Sequence, residues 1–184
     1  NLKRDQYFLV SAHREENVDS PENLTELLDT LCALRDAYNF PVIVSTHPRT
    51  QQRLKALNHP NIDARIQFLK PFGFIDYIKL QSQAFCILSD SGTITEEASL
   101  LNLPALTIRN THERPEGMDE ATLIMCGLQH KEVLHAVKVV RAQFSREKPS
   151  LKIVNDYKGG CVSSKIVRIV LSYTNYINRE VWYQ

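Results

Sequence analysis

Three clusters of polar side chains, each set at the end of a short apolar run, carry the groups in this sequence that could do chemistry. They are His13-Arg14-Glu15-Glu16-Asn17, then Ser89-Asp90-Ser91-Gly92 with Glu96-Glu97, then Arg109-Asn110-Thr111-His112-Glu113-Arg114-Pro115-Glu116-Gly117. The middle cluster says most. Phe85-Cys86-Ile87-Leu88 reads as a buried strand, and the turn formers Ser89-Asp90-Ser91-Gly92 end it. A helix is expected next, with Thr93 and Glu96 spaced as a capping box. The N–H groups around Ser91, Gly92 and Thr93 would then point out of a helix start, where aligned peptide dipoles favour an anion. Gly92 would let a phosphate approach the backbone closely, Ser91 would add a hydroxyl donor, and Glu97 could accept from the hydroxyls of a ribose. A capped strand-to-helix turn without any ligand fits the same residues equally well.

The elements that must position these clusters alternate along the chain. Residues 7–10, 41–45, 66–69, 85–88 and 104–108 are short apolar runs suited to central strands, with a shorter one near 122–125. Between them lie helical patterns. Ser20-Pro21-Glu22 is a cap, a first-turn proline and an acid at a helix start, followed by Leu24, Leu27, Leu28, Leu31 and Leu34 on one stripe. Further helices are expected through Leu54 and Leu57, through Phe74, Tyr77, Ile78 and Leu80, from Thr93 to about Leu101, and from about Lys131 to Phe144. A last one, over about 160–183, has Val162, Ile166, Ile169, Val170 and Tyr173 on one side and an aromatic tail suited to docking. This alternation predicts an α/β fold, a Rossmann-like doubly wound parallel sheet, in which strand ends converge on one rim and could hold a nucleotide between them.

Composition narrows the classes. With 184 residues, 43% hydrophobic, 23% charged and a formal net charge of +1, the chain reads as one soluble domain without a nucleic-acid-coating surface. Cys32, Cys86, Cys126 and Cys161 lie far apart with no C-x-x-C pair, which suggests a reducing, cytoplasmic setting and no zinc site. No apolar run is long enough for a bilayer, so no membrane partner is expected. The first strand is followed by Ser11-Ala12-His13-Arg14, not by a G-x-G-x-x-G, which argues against NAD, and no Walker A sequence is present. The chain starts abruptly, without Met, as a fragment would.

Taken together, the three clusters resemble, in order and spacing, the non-hydrolysing UDP-N-acetylglucosamine 2-epimerase family, whose members have the two-Rossmann-domain GT-B architecture. The resemblance covers essentially the whole chain as the C-terminal, nucleotide-binding half. Gly117-Met118-Asp119-Glu120 looks most like the subgroup that makes UDP-N-acetyl-L-fucosamine from its talosamine epimer for capsule or O-antigen synthesis. The resemblance implies that Ser91, Gly92 and Thr93 hold the diphosphate, that Glu97 binds the ribose, and that Arg14 and Arg114 reach the phosphates or sugar. It implies that His13 helps UDP depart as a cationic imidazole, that Tyr77 lies near the uracil, and that His47 and Glu113 are secondary, His47 through an activating second nucleotide and Glu113 by orienting Arg114. Many relatives have an arginine where Glu15 stands and a glycine where Thr93 stands. The residues themselves leave other readings open: His13 as a strand-end histidine bonded to backbone, Tyr77 as a packing residue, Glu116 as a solvated charge, Arg109 as structural.

In that family the C2 proton is removed and UDP expelled, then re-added with protonation on the opposite face, by carboxylates of the N-terminal half. The chain alone is therefore expected to bind and not turn over. No cofactor or metal is implied. The expected partners are a UDP-sugar, the N-terminal half, toward which the terminal helix would pack, and a second copy in a homodimer. A GT-B glycosyltransferase would use the same nucleotide-binding half and is one alternative; a sugar-nucleotide-binding regulatory module, inert even when joined to its N-terminal half, is the other.

Overall fold

A computed structural model describes residues 2–56, 63–149 and 151–184, the side chains of Arg49, Lys55 and Ala56 excepted. Its contacts gather into two compact units, Asn1–Val154 and Asn155–Gln184. The first unit alternates strand and helix in chain order: β1 (Phe8–Ser11), α1 (Glu15–Val18), α2 (Pro21–Tyr38), β2 (Val42–Ser45), α3 (Pro48–Ala56), β3 (Ile66–Leu69) and α4 (Phe74–Gln83). Then come β4 (Cys86–Ser89), α5 (Thr93–Leu101), β5 (Ala105–Thr107), α6 (Pro115–Asp119), β6 (Ile124–Met125) and α7 (His130–Gln143). The second unit holds a short 3-10 turn, Asn155–Tyr157, and α8 (Val162–Glu180). Leu57, expected on α3, lies outside the described residues.

All six strands are parallel, in the order β3-β2-β1-β4-β5-β6. The fold is α/β and Rossmann-like, as the alternation predicts. Chain order reverses between β1 and β4, whose last residues, Ser11 and Ser89, lie side by side. In open parallel sheets that reversal leaves a crevice at the carboxyl ends of the two strands.

Strand residues are buried on both faces because successive side chains point to opposite sides. Phe8, Val10, Val42, Val44, Cys86, Leu88 and Leu106 pack under α2 and α7, while Tyr7, Leu9, Ile43, Ile87 and Ala105 meet Ile94 and Ala98 of α5 with Tyr77 and Leu80 of α4. The leucine stripe of α2 is wholly buried, and the helix starts as its sequence demands, with Ser20 Oγ accepting from Asn23 N at 3.2 Å and Pro21 in the first turn. It stops at Asn39, whose φ of 55° is a left-handed cap.

Two short helices depart from the expected loops. Residues 15–18 and 115–119 coil into α1 and α6, the second opened by Pro115, whose fixed φ suits a first helical position. The stripe of α8 is exposed: Ile166, Val170 and Tyr173 are each more than half accessible, and the helix buries no residue.

Candidate functional site

The three polar clusters fall at the carboxyl ends of β1, β4 and β5, neighbouring strands on either side of the reversal. Asp90, the first residue past β4, ties the first two together. It has no exposed surface, and its Oδ2 accepts from the backbone N–H of His13 at 3.0 Å, the N–H of Arg14 at 2.9 Å and Asn17 Nδ2 at 3.0 Å. Its Oδ1 stands 3.2 Å from His13 Nδ1. A negative oxygen at that distance favours a proton on the facing Nδ1 and positive charge on the ring, and the Nε2 edge is left to face other groups. The His13 side chain is 45% exposed, so that edge is reachable.

The third cluster joins through ion pairs. Glu113 Oε2 accepts from Arg14 Nη2 at 3.0 Å, and Oε1 pairs with Arg109 Nη1 at 2.9 Å. Arg109 is buried and also meets Glu16 Oε1 at 3.2 Å, so arginine and glutamate alternate from the β1 loop to the β5 loop and back. Both arginines hold the Glu113 carboxyl below its ordinary value. Glu113 was expected to orient Arg114. Its carboxylate pairs with Arg14 and Arg109, while Arg114 Nη1 donates to the Glu113 backbone carbonyl at 3.3 Å and Arg114 Nε to Glu96 Oε1 at 2.8 Å.

That bond also corrects the expected capping box. Gly92 caps α5, no side chain caps it, and Thr93 is its first helical residue, with Oγ1 2.9 Å from Ser91 Oγ. With Gly92 as the cap, Glu96 falls at the fourth helical position, one past the place from which a capping box closes, and its carboxylate bonds outward to Arg114. The amides of Gly92, Thr93 and Ile94 find no acceptor among the described residues, as the first turn of a helix dictates. The space over Gly92 is narrow. A Cβ there would lie 3.2 Å from Glu113 Oε2 and 3.9 Å from Arg114 Cζ, so the corner is roofed by exposed side chains, not filled by backbone.

Glu97 is half-buried on the next turn, where Gln81 Nε2 donates to its Oε2 at 2.6 Å, and burial raises its pKa above the ordinary value. Gln81 is fully buried. Tyr77 is partly buried against the second core, with its hydroxyl beside Ser11 and Gln81, and burial pushes it up to about 12. Tyr77 thus packs α4 against the sheet. His47 is exposed where β2 ends, just before α3.

The family model described as UDP-N-acetylglucosamine 2-epimerase matches residues 1–171. The chain belongs to the UDP-N-acetylglucosamine 2-epimerase family. A family member from Methanocaldococcus jannaschii is 34% identical over 175 residues, 94% of this chain and 46% of that protein. The solved UDP-N-acetylglucosamine 2-epimerase of Rickettsia bellii is 53% identical with a TM-score of 0.88, covering 100% of this chain and 48% of that one. The M. jannaschii enzyme, solved in complex with UDP-GlcNAc and UDP, is 32% identical with a TM-score of 0.80, covering 90% of this chain and 45% of that one. The chain spans about half the length of the relatives it matches, as one half of a GT-B architecture would.

For this epimerase-family chain, sequence reasoning singled out His13, Arg14, Ser91, Gly92, Thr93, Glu97, Glu113 and Arg114, and the structure gathers them around the crevice. It missed the supports. Asp90 was visible as an acid directly after a fully buried strand, a place where a carboxylate survives only with donors around it. Asn17 and Gln81 gave no comparable signal, since their partners lie 73 and 16 residues away.

Proposed function

We propose that this chain is the UDP-binding half of a UDP-N-acetylhexosamine 2-epimerase, an isomerase that inverts C2 by eliminating and re-adding UDP. The observation that carries the reading is the crevice between β1 and β4, where an unsatisfied helix start, a buried-acid-supported histidine and a half-buried glutamate share one rim. The M. jannaschii relative solved with UDP-GlcNAc and UDP supports the choice of ligand.

In this reading the diphosphate lies on the amides of Gly92 and Thr93 and the hydroxyl of Ser91, with Arg14 and Arg114 reaching it from either side. Glu97, held by Gln81, accepts from the ribose hydroxyls, and Tyr77 borders the uracil. His13 presents Nε2 toward the leaving oxygen, and Asp90 behind Nδ1 supports the positive charge the ring carries as it donates to departing UDP. His47 stands at the next strand end, where a second nucleotide would meet it. No cofactor or metal takes part. The C2 acid and base come from the other half of the enzyme, toward which α8 turns its uncovered stripe, so this chain alone binds without turnover. We assign it to a homodimeric cytoplasmic enzyme of capsule or O-antigen synthesis, acting on the talosamine and fucosamine pair.

Two measurements test this. Calorimetry on the chain should detect UDP binding, with Ser91→Ala and Glu97→Ala each weakening it by about 1–3 kcal/mol, the cost of a buried or charge-assisted hydrogen bond. The chain joined to its N-terminal half should introduce solvent deuterium at C2 of the sugar nucleotide. A GT-B glycosyltransferase would bind UDP and leave C2 unexchanged.

A further inference from the structure

The corner assigned above to the diphosphate already holds a negative charge. Glu113 Oε2 stands over Gly92, 3.2 Å from where a side chain there would begin, and is gripped by Arg14 Nη2 at 3.0 Å while Oε1 is gripped by Arg109 Nη1 at 2.9 Å. Two guanidinium groups clasping one acidic group at the start of a helix is how a protein binds a phosphate. The acid here belongs to the protein itself.

The members of this cluster differ in freedom. Arg109, with a side chain only 8% exposed, keeps Glu16 as a second partner and need not move. Glu113 is 41% exposed on its loop and can turn into water, and Arg14, at 35%, reaches it from the opposite side of the crevice. An arriving anion therefore meets Arg14 in use, and the cheapest group to displace is the Glu113 side chain.

Resting on the UDP reading, we propose that Glu113 is an internal competitor for the phosphate site. Its carboxylate stands in for the ligand's phosphate when the crevice is empty, is expelled when a nucleoside diphosphate enters, and returns when it leaves. It holds the two arginines poised, limits the affinity for UDP and sets the ligand's charge as the condition for entry. A neutral nucleoside does not displace it.

The test is calorimetry with UDP and with uridine on the unsubstituted chain, Glu113→Gln and, as a control for net charge, Glu120→Gln, an exposed acid just past α6. Glu113→Gln should tighten UDP roughly three- to fivefold, the size of one exposed charge pair relieved, and leave uridine unaffected. Glu120→Gln should change UDP affinity by no more than about 1.5-fold, because an exposed charge away from the ligand is screened. UDP that binds the unsubstituted chain but binds Glu113→Gln equally or more weakly overturns the proposal and leaves the UDP site standing. Equal tightening by Glu120→Gln overturns it too. Absence of UDP binding in all three ends the site reading and the proposal with it. A crystal structure of the unsubstituted chain with UDP decides independently of any variant's folding: a phosphate oxygen on Arg14 with Glu113 turned away supports the proposal, and Glu113 still bridging Arg14 and Arg109 refutes it.

Discussion

Asp90 shows how one side chain can fix several others. Its carboxylate fastens the β1 loop to the β4 turn and sets a negative oxygen 3.2 Å from His13 Nδ1, which favours a proton on that nitrogen. Asp90→Asn places an amide in that position. The prediction is a shift of the His13 ring proton from Nδ1 to Nε2, read from 15N ring shifts, with a stability loss of about 1–3 kcal/mol from poorer satisfaction of buried donors. An unchanged tautomer would remove Asp90 from the account of His13. Glu97 shows the opposite balance. Its pKa in the fold lies above the ordinary 4.5, chiefly through burial, so ionising it costs the folded state stability. That cost is absent below the unfolded value and grows as pH rises through the folded one. Glu97→Gln should therefore raise the melting temperature at pH 8 more than at pH 4, while weakening UDP, as scanning and titration calorimetry would report. Both residues stand in motifs the sequence made conspicuous. What it could not show was their partners, since Asp90 and His13 are 77 residues apart and only the fold makes them neighbours.

Among the elements, legibility followed the range of the interactions that decide them. The start, stripe and end of α2 rest on Ser20, Pro21, five leucines and Asn39, all local, and all lie where the periodicity puts them. At α5 the cap is Gly92, one residue before the Thr93 that the local pattern proposes, and Glu96 bonds Arg114, 18 residues beyond it. The same holds for α1 and α6, too short to carry a periodic signal of their own. Alternation of strand and helix predicted parallel strands, yet the order that sets β1 beside β4 comes from crossovers that no window of sequence contains. Since the stripe of α2 forms one layer of a core, Leu31, with no exposed surface, is its sharpest probe. Leu31→Ala should lower stability by about 2–5 kcal/mol in urea denaturation, lost transfer energy plus the cavity left behind. A loss below 1 kcal/mol would mean that the α2 face repacks freely.

At the scale of the molecule, everything proposed to touch UDP lies in the unit Asn1–Val154. That unit has an apolar layer on each side of its sheet, and its end is pinned where the Val154 N–H donates to Ser99 Oγ of α5 at 2.9 Å. Residues 155–184 contribute no buried side chain, and the stripe of α8 keeps its apolar surface in water. Apolar area that stays exposed adds nothing to the stability of the fold that exposes it. A chain ending at Val154 should thus unfold cooperatively with a melting temperature within about 2 °C of the longer chain, less than a 1 kcal/mol change gives at this size. It should also bind UDP with the same affinity. Circular dichroism melts and calorimetry check both. A lower melting temperature with UDP binding intact would make α8 a stabilising part of this half. Binding lost from a truncated chain that still melts cooperatively would place part of the nucleotide site beyond Val154.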